Sequence, residues 1–152
     1  MALNLASLRV QIQRVFDARL SDVAQIARRL ADAYENYARA AQAPTGAPVT
    51  LKGFEKRVFA TALESVLRSH SSAPQAAQAI GNAMTAFWLT PPVQFGTGLV
   101  TAILPQAAIG KMLSTKVDSA SGAAEAFAGS LDLLTKTVFV TSPTPAPSGP
   151  IF

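Results

Sequence analysis

The sequence predicts an all-α fold of about six helices, arranged in three loosely repeated helical hairpins with Pro-rich extended linkers and an extended C-terminal arm. Two observations lead to this prediction. Apolar residues recur at helical spacing along most of the chain, which indicates amphipathic helices. Three Pro-rich runs, at residues 43–50, 89–98 and 141–152, interrupt this pattern roughly every fifty residues, a period typical of helical repeat proteins.

These intervals divide the chain into one helical domain and a tail. The domain spans residues 1–140, with approximate repeats at 1–50, 51–98 and 99–140. An irregular six-helix bundle with ordinary loops is the alternative. Residues 141–152 form the predicted arm, whose four prolines favour the extended polyproline II conformation.

The first two predicted helices are separated by a capping sequence. One apolar stripe predicts a helix from about Leu5 to Arg19. The second helix is expected to begin at Ser21 and Asp22, because serine caps a helix and aspartate suits its positive end. It should run to about residue 43, since Pro44 cannot continue it.

The third and fourth predicted helices carry the apolar residues of the middle of the chain. Thr50 can cap a helix that runs from about Leu51 to Ser69. The fourth helix is expected to start at Ser72 and to stop before Pro91.

The last third of the chain is less uniform. The run Gly96–Ile103 fits either a short strand or an extended linker. Pro105 is expected to open a fifth helix, and a sixth should start near Ser119. That last helix gives way to extended chain around residues 138–140, where β-branched valines occur.

Charge is scarce and unevenly placed. Charged residues make up 14% of the chain, against about 25% in an average soluble domain. Residues 69–110 contain no aspartate, glutamate, lysine or arginine. The chain's single histidine, His70, lies in this stretch. Such a chain is expected either to bury surface in an oligomer or to touch lipid. The absence of cysteine excludes disulfides and zinc–thiolate sites.

The residues that could carry chemistry all have simpler interpretations. His70 lies among serines without a nearby acid, so we interpret it as a solvated loop residue. Asp32 and Glu35 share a helix face, as metal-binding or acid/base pairs do. Arg28, Arg29 and Arg39 lie within one turn of them, so we predict ion pairs instead. No phosphate-binding glycine motif occurs. We therefore expect no catalytic, metal or cofactor site, no cofactor, no small-molecule substrate and no enzymatic activity.

Nucleic acid and membrane are not expected as the main partners. Lys52, Lys56 and Arg57 form the only tight basic cluster, which we interpret as a solvated face, with weak DNA contact left open. The apolar run 83–109 is broken at its centre by prolines, so no transmembrane helix is expected. The N-terminus lacks the pattern of a signal peptide.

Three stretches resemble small alanine-rich structural proteins of tailed bacteriophage virions. They are TAFWLTPPVQFGTG at residues 85–98, AAEAFAGSLDLLTKTV at 123–138 and the Thr/Pro-rich ending at 139–150. The resemblance implies a non-enzymatic subunit of the tail, baseplate or neck. It also implies a location in the virion after synthesis in the bacterial cytoplasm, with copies of itself or other virion proteins as partners.

The composition independently predicts a structural assembly subunit, because a charge-poor middle and an apolar tail are suited to contact with neighbours. A peripheral membrane protein that uses the uncharged middle region is the alternative. The side chains expected at the interface are Phe87, Trp88, Val93, Phe95, Ile151 and Phe152.

Overall fold

The computed structural model describes residues 3–69, 73–89, 92–103, 120–143 and 145–152. Five helices lie within these ranges: α1 (Leu5–Asp17), α2 (Val23–Ala38), α3 (Phe54–Ser69), α4 (Ala73–Leu89) and α5 (Ala120–Thr135). The same ranges contain five short strands: β1 (Val49–Thr50), β2 (Gln94–Phe95), β3 (Gly98–Ala102), β4 (Phe139–Thr141) and β5 (Gly149–Pro150).

The prediction of an all-α fold is wrong, because the chain combines its helices with an antiparallel sheet. The strands lie side by side in chain order, each pairing with the next. The three Pro-rich runs and the segments beside them supply these strands, instead of acting as linkers. The predicted C-terminal arm is likewise wrong, since the end of the chain pairs with β4.

Proline fits into this sheet because its missing N–H is not needed where it stands. Pro150 lies opposite Phe139, and the adjacent ladder bond runs from the Ile151 amide to the Val138 carbonyl at 3.0 Å. The pair that contains Pro150 is therefore a non-hydrogen-bonded one. Pro48 occupies the same kind of position beside β1.

The two outer strands of the sheet are joined through Gln42. Its amide donates to the Phe152 carbonyl at 3.0 Å, and its carbonyl accepts from the Phe152 amide at 3.2 Å. On its other side, Gln42 forms a bridge with Pro48, which directly precedes β1. Backbone pairing therefore continues from β5 through Gln42 to β1, as in a small closed barrel.

The helices pack beside one another in the order α4, α3, α2, α1, α5. Asp22 caps α2 by accepting a bond from the Ala24 amide at 3.0 Å, although Ser21 was the expected cap. The helix ends at Ala38, earlier than expected, because residues 41–43 leave it to reach the sheet.

The start of α3 also differs from the expectation. Thr50 lies in β1 and does not cap the helix. The buried Glu55 carboxylate instead accepts bonds from the backbone amides of Lys52 and Gly53, so that α3 begins at Phe54. The predicted start of the fourth helix at Ser72 and the predicted fifth helix at Pro105 lie outside the described residues.

A buried hydrogen-bonded chain connects three helices beneath the sheet. The Trp88 indole N–H donates to the Tyr34 hydroxyl at 2.8 Å, and that hydroxyl lies 2.8 Å from Thr135 Oγ1. Because the Thr135 hydroxyl donates its only proton to the Leu131 carbonyl, Tyr34 must be the donor to Thr135. The chain therefore runs in one direction from α4 through α2 to α5.

Candidate interaction surface on the outer face of the sheet

Side chains of the strands alternate between two surroundings, as the pleat of a β-strand requires. One set points into the core, where the Trp88 and Phe95 rings stack with centroids 6.2 Å apart. The buried members of this inner set are Val93, Phe95, Val100, Val140 and Ile151.

The other set forms an exposed surface, which we call the outer sheet face. It consists of Thr50, Gln94, Leu99, Thr101, Ala102, Phe139, Thr141, Pro150 and Phe152. None of these residues has a charged side chain, although an antiparallel sheet usually turns a polar face to water.

Three large apolar side chains stand on this face: Leu99 is 42% exposed, Phe139 39% and Phe152 47%. Phe139 lies opposite Ala102 on β3 and Pro150 on β5, so an apolar row crosses three strands. Contiguous exposed apolar side chains of this kind are typical of interaction sites.

Two of the four polar side chains on this face have a partner within the sheet. The Thr101 and Thr141 hydroxyls bond to each other at 2.8 Å across β3 and β4. Each therefore has part of its hydrogen-bonding capacity satisfied within the sheet, which lowers the cost of covering the face.

Gly98 holds β3 close to β4 and so sets the position of Leu99. A Cβ atom at Gly98 would lie 2.8 Å from Val140 Cγ1 and 3.1 Å from Ser142 Oγ. A larger residue would push the strands apart, so glycine is needed for this close approach.

The residues expected at an interface occupy two different places in the structure. Phe152 stands exposed on the outer sheet face, and its contact with a neighbouring subunit stays a prediction. The other five are buried in the chain's own core: Phe87, Trp88, Val93, Phe95 and Ile151. Contact with a neighbouring subunit stays a prediction for them, and it would require this core to open.

Sequence reasoning missed Leu99 and Phe139 as exposed residues. The sequence carries no signal for Leu99, because Leu99 and Val100 are adjacent apolar residues and the sequence does not show which of them faces outward. Phe139 stands in a three-residue strand, which is too short to show such a period.

The carboxylates of α2 are engaged in ion pairs. Glu35 is bound by Arg39, as predicted, and also by Lys56, whose Nζ lies 3.0 Å from Glu35 Oε2. Asp32 binds the same lysine at 2.9 Å. His70 lies outside the described residues.

Both tyrosines are held in their neutral form. Burial raises the pKa of Tyr34 well above its usual value. Burial also raises the pKa of Tyr37, and the hydrogen bond that its hydroxyl donates to the Asp132 carboxylate adds to the effect. These phenols therefore serve the core as hydrogen-bond donors at neutral pH.

Comparison of the chain with protein-family models, with curated proteins and with solved structures finds no match. Within the described residues, none of the helices has the length and apolar character that crossing a membrane requires. The same ranges contain no group of three or more acidic or histidine side chains arranged to hold a metal ion.

Proposed function

We propose that this protein is a non-enzymatic structural subunit of a larger assembly and that it docks through the outer sheet face. The observation that carries the proposal is the uncharged face with exposed Leu99, Phe139 and Phe152. Aromatic and aliphatic side chains at the centre of a contact supply most of its binding energy. Copies of the same chain or other structural proteins are the proposed partners.

The resemblance to alanine-rich phage proteins supports a more specific setting. We propose a phage virion, in its tail, baseplate or neck, as the assembly that this subunit joins. An uncharged docking face suits a permanent contact of that kind, because permanent interfaces are more apolar than transient ones.

A partner is expected to pack against side chains and not to add a strand. Strand addition needs an outer strand with free amide and carbonyl groups. Here Gln42 pairs with Phe152 on one side and forms a bridge with Pro48 on the other. Since the ends of the sheet are joined in this way, side-chain burial must supply the binding energy.

The alternative of a peripheral membrane protein has less support. It relied on the apolar side chains of the uncharged middle region. Those of Phe87, Trp88, Val93 and Phe95 are buried in the core and are not available to lipid.

A matched pair of leucine variants tests the proposal. Leu99→Ser removes a docking side chain, whereas Leu67→Ser changes a leucine of α3 that is similarly exposed, at 37%. Leu67 lies thirteen residues into a helix that begins beside β1, about 20 Å along its axis. The matched leucine is therefore distant from the outer sheet face.

The readout is the mass of the assembled form by multi-angle light scattering, measured for the chain alone and with neighbouring structural gene products. We expect Leu99→Ser to weaken assembly by about tenfold or more and Leu67→Ser to leave it unchanged. Equal assembly by both variants would contradict the proposed face.

A further inference from the structure

A small pocket lies in the groove between α2 and α3, and no strand residue lines it. Its volume is about 220 Å³, and it is lined by Arg28, Asp32, Lys56, Arg57 and Ala60. Three of these five side chains are cationic, so the pocket differs in character from the outer sheet face.

The lysine of this pocket is fixed by two carboxylates. Lys56 Nζ lies 2.9 Å from Asp32 Oδ1 and 3.0 Å from Glu35 Oε2. These hydrogen bonds raise the pKa of Lys56, so its ammonium group stays charged at neutral pH. In return, the lysine neutralises the carboxylates that would otherwise repel an anion from the groove.

The two arginines of the pocket are not neutralised in this way. Among the described residues, no acidic side chain forms an ion pair with Arg28 or Arg57. The lining carries three positive charges and one negative charge, a surplus of two. If Glu35 and its second partner Arg39 are counted as well, one negative and one positive charge are added, and the surplus stays at two.

We propose that this pocket binds a phosphate group, with Arg28 and Arg57 as its ligands. The two exposed side chains line the same pocket from neighbouring helices, so both are available to an anion that enters it. Guanidinium groups bind phosphate oxygens in pairs, and their charge-assisted hydrogen bonds are stronger than neutral ones. Lys56 pairs with Asp32, the acidic residue that lines the pocket, and so offsets its repulsion of the anion.

The phosphate can be free or can belong to a lipid headgroup, because both present the same oxygens. This inference does not depend on the proposed assembly role, since the groove shares no residue with the outer sheet face. It assigns a binding function to Arg28 of α2 and Arg57 of α3, whereas ion pairs already account for Lys56 and Arg68 of α3.

The test compares two variants of the full chain. The double variant Arg28→Gln/Arg57→Gln removes both ligands. The matched control Arg19→Gln/Arg29→Gln also removes two positive charges, from exposed residues that do not line the pocket. Circular dichroism checks that each variant keeps the helical content of the original chain.

Binding is measured in two arms at low ionic strength. Inorganic phosphate is titrated by calorimetry, and vesicles that contain phosphatidate are compared with vesicles of phosphatidylcholine by co-sedimentation. We expect saturable binding in at least one arm that falls at least about tenfold in Arg28→Gln/Arg57→Gln and less than about twofold in Arg19→Gln/Arg29→Gln. Binding in the calorimetric arm identifies free phosphate as a ligand, and binding confined to phosphatidate vesicles identifies a lipid headgroup. Absence of binding in both arms, or an equal loss in the control, would overturn the proposal.

Discussion

The inner and outer faces of the sheet carry similar side chains in opposite surroundings. Val100 and Val140, which lie opposite each other, are buried against the chain's own helices. Leu99 and Phe139, one position away along the same strands, remain exposed. The chain by itself therefore buries only one of the two apolar faces of its sheet. The other face is suited to burial by a partner.

This comparison predicts a division between two kinds of mutation. Changes beneath the inner face should lower the free energy of unfolding. Changes on the outer face should leave that free energy nearly unaltered and act on assembly. The largest loss of stability is expected for Trp88→Ala, a smaller loss for Tyr34→Phe and the smallest for Phe139→Ser.

Trp88→Ala should have the largest effect. The indole is fully buried, stacks on Phe95 and donates to Tyr34. Its removal leaves a large cavity under the sheet, and we expect the free energy of unfolding to fall by about 3–5 kcal/mol. Urea denaturation followed by far-ultraviolet circular dichroism measures this change, and a loss below about 1 kcal/mol would show that the inner face does not depend on this residue.

Tyr34→Phe should have a smaller effect through the hydrogen-bonded chain alone. The ring and its contacts with Phe59 and Phe87 are kept, while the Trp88 N–H loses its acceptor inside the core. We expect a loss of about 1–3 kcal/mol, the usual cost of an unsatisfied buried donor. The same denaturation experiment measures it, and unchanged stability would mean that the donor finds another partner.

Alkaline titration tests the same core without mutation. The pKa values of Tyr34 and Tyr37 are raised by burial, so the folded state binds more protons than the unfolded state above pH 10, the ordinary pKa of tyrosine. Stability should therefore be unaffected below that pH and fall as the pH rises further. These are the chain's only two tyrosines. Absorbance at the phenolate band should rise in one step that coincides with unfolding, and a rise that precedes unfolding would contradict this.

Phe139→Ser should have the smallest effect on stability, because the side chain is already 39% exposed on the outer face. We expect a change within about 0.5–1 kcal/mol, together with weakened assembly. Val58→Ser on α3, a residue with the same exposed fraction, is the control for stability. If Phe139→Ser loses much stability and Val58→Ser does not, the Phe139 side chain stabilises the folded chain itself and is not part of the docking surface.

The helices could be predicted from the sequence because their signals are local. The stripe that begins at Leu5 and the cap at Asp22 each act within one helical turn, and both helices start where expected. The start of α3 was missed because the side chain that caps it, Glu55, reaches back from inside the helix.

The sheet could not be predicted in the same way because its information is not local. Most of its strands contain two or three residues, too few to show a period of two. Their partners are distant in the chain, as in the pairs Thr50–Gln94 and Leu99–Thr141. Proline also argues against strands on statistical grounds, and the non-hydrogen-bonded position of Pro150 becomes evident only once the register is known.

The docking surface was only partly predictable for the same reason. Large apolar residues such as Trp88 and Phe95 were sensible candidates for an interface, because a charge-poor chain must bury its apolar surface somewhere. Whether a side chain enters the core or faces outward depends on the strand register, and that register assigned Phe95 to the inside and Leu99 to the outside.

The most direct test of the central claim uses the absence of cysteine from this chain. Leu99→Cys introduces one thiol on the outer sheet face, and Leu67→Cys introduces one at the similarly exposed position of α3. The rate of thiol labelling is measured for each variant, alone and in the assembled form. We predict that assembly slows the labelling of Leu99→Cys by about tenfold or more and leaves Leu67→Cys unchanged. Equal labelling of Leu99→Cys in both forms would contradict docking through the outer sheet face.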